Sequence, residues 1–193
     1  MSHYFETPDG PTTTREVEAT IWGRELRFQT AGGVFSADGL DHATAVLLGH
    51  DDAPTGRVLD LGCGWGPIAC GVAAASPEAE VWAVDVNERA RDLTAANAER
   101  LGLPVRVAAP EDVPTDLRFD AIWSNPPIRI GKQALHELLL LWLDRLATGG
   151  EARLVVGKNL GADSLQRWLV SQDYPTDRLA SAKGFRVLRT RRR

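Results

Sequence analysis

Two short stretches of this sequence hold side chains whose types and spacing could do chemistry: Asp60-Leu61-Gly62-Cys63-Gly64-Trp65-Gly66-Pro67 and Ser124-Asn125-Pro126-Pro127-Ile128. In the first, Gly62 and Gly64 permit a tight turn and close approach of the backbone to a ligand, because no Cβ stands in the way. Gly66 follows Gly64 by two residues rather than three, so the dinucleotide fingerprint G-x-G-x-x-G is not met. An acid, Asp60, stands two residues before the first glycine. Its carboxylate would repel a pyrophosphate and suits a ligand with a positive end, such as an amino group. A second acid, Asp85, lies in Trp82-Ala83-Val84-Asp85-Val86-Asn87, where a carboxylate can accept both hydroxyl hydrogens of a ribose diol. Taken alone, Asp85 could also cap the helix that starts near Glu88, a place for which Asn87 is suited as well. With Asp60 and the glycine loop ahead of it, a nucleoside ligand is the better reading.

The second cluster offers a different chemistry. Asn-Pro-Pro by itself is an ordinary loop, but after a strand of a sheet that already carries the glycine loop it can grip an NH2 group. An exocyclic amine delocalises its lone pair into its ring and is a poor nucleophile. The Asn125 side-chain oxygen and the Pro126 carbonyl could accept its two N–H bonds and draw the lone pair out of conjugation. Proline fixes φ and has no N–H to compete, so the two acceptors stay aimed. Positioning and electrostatics then supply the catalysis. No covalent intermediate is required, and no Cys or His is placed to supply one.

Both clusters need strands to hold them. Residues 15–30 alternate apolar and polar positions around Trp22-Gly23-Arg24, a β-hairpin pattern. Residues 41–49 read as a short helix with Asp41 as its N-cap. From residue 57 the pattern alternates: strands at 58–61, 81–86, 105–108, 119–123 and 152–156, and helices at 68–75, 88–101, 133–146 and 164–170. The helix at 133–146 is read as ended by Gly149-Gly150, and residues 177–182 and 184–189 as two strands joined at Lys183-Gly184. This order predicts an α/β, Rossmann-like fold: a seven-stranded, mostly parallel sheet with helices on both faces, an antiparallel C-terminal hairpin and a small N-terminal β-hairpin extension. Residues 1–50 are expected to form the hairpin, lid and helix extension, packed on a core of residues 51–193, as one domain overall. Ligands in such sheets bind at the carboxyl ends of the strands, beside the topological switch point. Both clusters lie there.

The chain has 193 residues, 44% hydrophobic and 25% charged, the balance of an ordinary globular domain. Two cysteines, Cys63 and Cys70, suggest neither a disulfide framework nor a zinc site, so no metal is expected and a reducing cytoplasm is the simplest home. Residues 1–11 are polar and show no secretory leader, and the apolar run at 138–143 falls well short of a membrane span. A net charge of −4 argues against a nonspecific grip on nucleic acid. The C-terminal cluster Arg186, Arg189, Arg191, Arg192 and Arg193, with Lys183, could still neutralise phosphates locally. It could equally be a solubilising tail. His3, His42, His50 and His136 are expected in surface or packing roles.

D-x-G-x-G after the first core strand, with an acid closing the second, resembles the class I S-adenosylmethionine-dependent methyltransferases. The resemblance implies that Asp60, Gly62 and Gly64 back the methionine moiety and that Asp85 holds the ribose. Cys63, Gly66 and Val86 join the candidate cofactor set by position, with Cys63 and Trp65 read as packing residues rather than nucleophiles. The acid that often follows the third strand in that family is displaced here by Pro110, leaving Glu111 or Asp112 to meet the adenine amine. Asn125-Pro126-Pro127-Ile128 is similar to the [DNS]-P-P-[YFW] pattern of methyltransferases acting on planar amines, with Ile128 in place of the aromatic.

Gly33-Val34-Phe35-Ser36-Ala37-Asp38-Gly39-Leu40-Asp41, the run N-P-P-I-R-I-G-K, the opening His3-Tyr4-Phe5 and the ending Lys183-Gly184-Phe185-Arg186-Val187-Leu188 resemble the small, single-domain relatives of the 16S ribosomal RNA guanine-N2 methyltransferases. That implies S-adenosyl-L-methionine as methyl donor, a guanine 2-amino group as target, and ribosomal RNA or a ribosomal subunit as partner. It also implies that Phe35 and Ser36 fold over the site as a lid. RNA recognition would then rest on the N-terminal hairpin, Arg129, Lys132 and the arginine tail. Three other readings stay open: a glutamine side-chain amide in a protein as acceptor, a nicotinamide-dependent oxidoreductase, and a noncatalytic binding module.

Overall fold

The computed structural model describes residues 14–192, so His3, Tyr4, Phe5 and Arg193 lie outside the described residues. Strands β1 (Thr14–Ile21) and β2 (Arg24–Ala31) pair antiparallel through a turn in which Trp22 and Gly23 both have positive φ, 47° and 73°. This is the turn geometry that matches strand twist. Helix α1 (His42–Leu48) is capped by Asp41, whose carboxylate accepts from the Ala43 and Thr44 N–H groups. The alternating core follows: β3 (Arg57–Leu61), α2 (Pro67–Ala75), β4 (Glu80–Val84), α3 (Glu88–Leu101), β5 (Val105–Ala108), β6 (Phe119–Ser124), α4 (Lys132–Leu143), β7 (Leu146–Gly157), α5 (Ala162–Ser171), β8 (Thr176–Ala182) and β9 (Phe185–Arg191).

The seven core strands lie in the order β5-β4-β3-β6-β7-β9-β8, parallel except that β9 runs against both neighbours. Strand alternation divides the core in two. Val58, Trp123, Val155 and Val187 face α1, α2, α3 and the hairpin. Leu59, Ile122, Leu154 and Leu188 face α4 and α5. Strands buried on both faces read as near-continuous apolar runs, which is why their pattern stands out in the sequence. The connection leaves β3 for β4 on one side and later returns to β6 on the other. The crevice between these departures is the switch point.

One expected boundary is corrected. The helix read at 133–146 ends at Leu143, and residues 146–157 are one long strand, β7. Gly149-Gly150 does not stop a helix. It marks a register shift in β7 opposite β6, with Gly149 at φ 78° and an added Cβ at Gly150 falling 2.9 Å from the Phe119 carbonyl. The fully buried Leu146 pairs with Phe119, and burial there outweighs the helical pattern.

The hairpin is seated on α2 and α3. Gln29 and the buried Asn97 exchange two hydrogen bonds, 2.6 and 2.8 Å. At Gly71, a Cβ would stand 2.6 Å from the Ile21 methyl and 3.3 Å from the Trp22 ring. Gly71→Val is therefore expected to lower stability by about 1–3 kcal/mol through overpacking. Urea denaturation measures this, and an unchanged midpoint would mean that the hairpin does not rest on α2.

Candidate active site

The glycine loop is fastened before it turns. The Gly62 and Cys63 N–H groups both donate to the Val84 carbonyl, at 2.8 and 3.1 Å, which ties the exit of β3 to that of β4. Gly62 and Gly64 have φ of 78° and 59°, and a Cβ on either would meet nothing within 4 Å. Backbone conformation, not crowding, requires glycine at these two positions, and open space lies beside them. Gly66 differs. A Cβ there would fall 3.0 Å from the Thr94 methyl of α3, and the residue precedes Pro67 at the first position of α2. The buried Cys63 thiol is pushed well above its ordinary range by burial and by the nearby acids, which removes it as a nucleophile. Trp65 is buried edge-on against Phe28.

The two acids are placed differently. Asp60 is 1% exposed; one carboxylate oxygen accepts the Ala69 N–H of α2 at 3.0 Å, and the other is buried with no donor among the described residues. Burial pushes its carboxyl from 3.8 up to about 8, against the opposing Ala69 bond and with a smaller push from Asp85. Asp85 is half-buried and accepts from the Gly64 N–H at 3.0 Å and the Asn87 N–H at 2.9 Å. Burial raises its carboxyl as well. The α3 cap is Asn87, not Asp85, which leaves Asp85 bound to the glycine loop. Val86, beside it, is exposed. Glu111 and Asp112 lie exposed on a short turn after β5.

The Asn-Pro-Pro cluster follows β6. Ser124 is buried and donates to the Leu61 carbonyl at 2.7 Å, joining β6 to β3 at the level of the glycine loop. The Asn125 NH2 donates to the Asp41 carboxylate at 2.9 Å and to the Thr44 hydroxyl at 3.1 Å. A carboxylate oxygen only accepts, so the group facing Asp41 must be the NH2, and the amide oxygen is left on the other side. Pro127, with φ −73° and ψ 73°, closes an inverse γ-turn in which the Pro126 carbonyl accepts the Ile128 N–H at 2.8 Å. That carbonyl keeps one lone pair. Ile128 is half-buried and lines a cavity of about 190 Å³ with Leu135, Val156 and Leu165. His136, on its wall, stacks on Trp168 at 3.4 Å, and His42 and His50 are exposed.

Residues 32–41 cross between the two clusters. Gly32 accepts from Arg89, Gly33 from the Asn87 side chain, and Ser36 from the Trp65 indole at 3.1 Å. Ser36 has φ 55°, and Phe35 is 44% exposed.

Residues 25–189 match the methyltransferase small domain. The chain belongs to that family. Methyltransferase small domain proteins of this kind are S-adenosylmethionine-dependent. The chain is 28% identical to the uncharacterized Bacillus subtilis protein YbxB, over 98% of both chains. It is 37% identical to a ribosomal RNA small subunit methyltransferase C of Pseudomonas paraeruginosa, over 87% of this chain and 52% of that one. Among solved structures it superposes, at TM-score 0.83 and 26% identity, on a 16S rRNA N2 methyltransferase of T. thermophilus in complex with AdoMet and guanosine, covering 96% of this chain and 52% of that one. It thus spans nearly all of YbxB and about half the length of the two rRNA methyltransferases.

Within this methyltransferase fold, the arginine cluster is not a frayed tail. Arg186, Arg189 and Arg191 lie on β9, paired with Asp163, Asp177 and Glu151, and Arg192 pairs with Asp144. Arg129, Lys132, Lys158 and Lys183 are instead exposed, with no ion pair among the described residues. Lys183 was read in the sequence with the arginine cluster, whereas Lys158 was not singled out, because only the fold brings it beside the Lys183-Gly184 turn, where its N–H donates to the Gly184 carbonyl at 2.8 Å. The Asp41 contact with Asn125 was missed for the same reason: the two residues lie 84 positions apart. Among the described residues no three metal-ligating side chains cluster, and no helix is long and apolar enough to cross a membrane.

The Asp60 position gives a pH test. Between about 4 and 8 the folded carboxyl holds a proton that the unfolded chain has released, so stability falls as pH rises through that window. Asp60→Asn removes the proton exchange and can still accept from Ala69. Its stability relative to wild type, from urea melts at pH 5 to 8, is expected to rise steadily with pH. A constant difference would contradict the burial effect.

Proposed function

We propose that this chain is an N-methyltransferase whose acceptor is the 2-amino group of guanine in ribosomal RNA. The observation that carries the reading is the Asn125 amide, held by its NH2 side so that its oxygen is left to accept, next to the glycine loop across paired β3 and β6. Bound S-adenosylmethionine would supply the methyl group on a sulfonium whose thioether leaves readily. The residues present fit it: the unpartnered Asp60 oxygen offers unmet acceptor capacity, and the left-handed Gly62 and Gly64 leave open space. In this reading Asp60, Gly62, Cys63, Gly64 and Gly66 hold the amino-acid end. Asp85 takes the ribose diol with its remaining lone pairs, and Val86 and Glu111 flank the adenine.

Asn125 Oδ1 and the free lone pair of the Pro126 carbonyl would each accept one N–H of the amine and hold its nitrogen in line. Pro127 keeps that carbonyl aimed through its γ-turn, and Ile128 supplies aliphatic packing for the base. Phe35 and Ser36 are the lid. Residues 51–193 are the transferase core, and residues 1–50 the extension that carries the lid. The guanine and RNA assignments are supported by the ribosomal RNA methyltransferases that this chain resembles. We place the reaction in the cytoplasm, where the free, buried thiols of Cys63 and Cys70 stay reduced.

Tritium transfer from labelled cofactor is expected to reach total RNA and not total protein; label in protein would favour the glutamine acceptor. Asn125→Ala should retain cofactor affinity by calorimetry and lose about 10²-fold in kcat, the scale of one transition-state hydrogen bond.

RNA phosphates would meet Arg129, Lys132, Lys158 and Lys183. Lys132→Gln or Lys158→Gln should each flatten the slope of log affinity against log salt by about 0.7 for a single-stranded RNA. Arg189→Gln, whose charge already faces Asp177 at 3.2 Å, should leave the slope unchanged. Fluorescence anisotropy over a salt series reads this.

A further inference from the structure

Residue 41 does two things at once. The same carboxylate oxygen of Asp41 accepts the Ala43 N–H at 2.8 Å, the Thr44 N–H at 3.1 Å and the Asn125 NH2 at 2.9 Å. The Thr44 hydroxyl, on a residue 4% exposed, takes the Asn125 NH2 at 3.1 Å. Both amide hydrogens of Asn125 thus have acceptors on the first turn of α1. A primary amide with both N–H bonds satisfied cannot exchange its oxygen and nitrogen ends without losing both. The flipped amide would also set its oxygen against the Asp41 carboxylate, two acceptors in contact.

We propose that Asp41, with Thr44, is a positioning residue for methyl transfer: it locks the Asn125 amide so that Oδ1 faces the acceptor amine. The inference rests on the acceptor role given to Asn125 above. The carboxylate also polarises the amide through its NH2, which makes Oδ1 a stronger acceptor for the amine. The lock is tied to the cofactor side of the site. Asp41 ends the segment that is held at Gly33 by Asn87 and at Ser36 by Trp65 of the glycine loop. One ten-residue strap therefore connects the glycine loop to the acceptors that hold the amide.

Asp41→Ser separates the two duties. Serine is as good an N-cap as aspartate, so α1 keeps its start, but its hydroxyl sits a bond length short of Asn125. Thr44→Val removes the second acceptor with little change of shape. In a nitrogen-15 correlation spectrum of the full chain, the two Asn125 side-chain N–H signals are identified by their loss in Asn125→Ala. In Asp41→Ser/Thr44→Val they should move toward the positions of a free amide. With RNA as acceptor, that variant should lose roughly 10- to 100-fold in kcat, the scale of a misplaced catalytic group, with cofactor affinity unchanged. In the Asn125→Ala background the same substitutions should cost nothing further. Unmoved amide signals would overturn the proposal. So would moved signals with unchanged kcat, or an equal loss of kcat with Asn125 already gone, which would mark a merely structural effect. The spectra need no acceptor, so they decide the lock even if no label reaches RNA, a result that would sink the acceptor assignment instead.

Discussion

Parallel pairing of β3 with β6 sets Asp60 level with Trp123, and the Ser124 hydroxyl spans to the Leu61 carbonyl at the end of both strands. Two loops that are over sixty residues apart in the chain must therefore leave the sheet side by side. Each is stiffened where it leaves: one by the two N–H bonds to the Val84 carbonyl, the other by consecutive prolines and a γ-turn. Without that pairing the glycine loop and the amide would be separate features with no shared chemistry.

The same arrangement is costly. An acid buried as fully as Asp60, with one oxygen lacking any donor, holds its proton at pH values where an exposed carboxyl has lost it. Nothing in the packing of α2 demands a carboxylate there, since an amide oxygen could accept from Ala69 equally well. The strain is concentrated where a cationic ligand would relieve it, which is the usual relation between perturbed groups and function.

Most of the fold was readable because its strands are buried on both faces and its helices have plain ends, such as Asn87 before α3 and Gly102 after it. The failure at Gly149-Gly150 is instructive. Glycine pairs end helices and also mark strand bulges, and only the tertiary pairing of Leu146 with Phe119 distinguishes the two. In the candidate site, Asp60, Gly62, Gly64, Asp85 and Asn125 could be singled out because their spacing is local to each loop. Three-dimensional adjacency was not. The acceptors that hold Asn125, the cofactor-side tethers of residues 32–41 and the engagement of the β9 arginines all join residues distant in sequence. The arginines misled most: a run of like charges looks free until its acids, contributed by β7, β8 and α5, are seen beside it.

The ladder of arginines and acids across β7, β8 and β9 has a consequence for encounter. A body with net charge −4 repels a polyanion over most of its surface, and the ladder adds no competing attraction because its charges cancel at short range. With the RNA acceptor proposed above, the exposed Arg129, Lys132, Lys158 and Lys183 would be the charges that draw the chain in at the strand ends. Such a field orients diffusing partners before they touch and raises the fraction of productive collisions more than it tightens the final complex. For such an acceptor, neutralising arginines in place, rather than removing them, would work as a filter on the direction of approach.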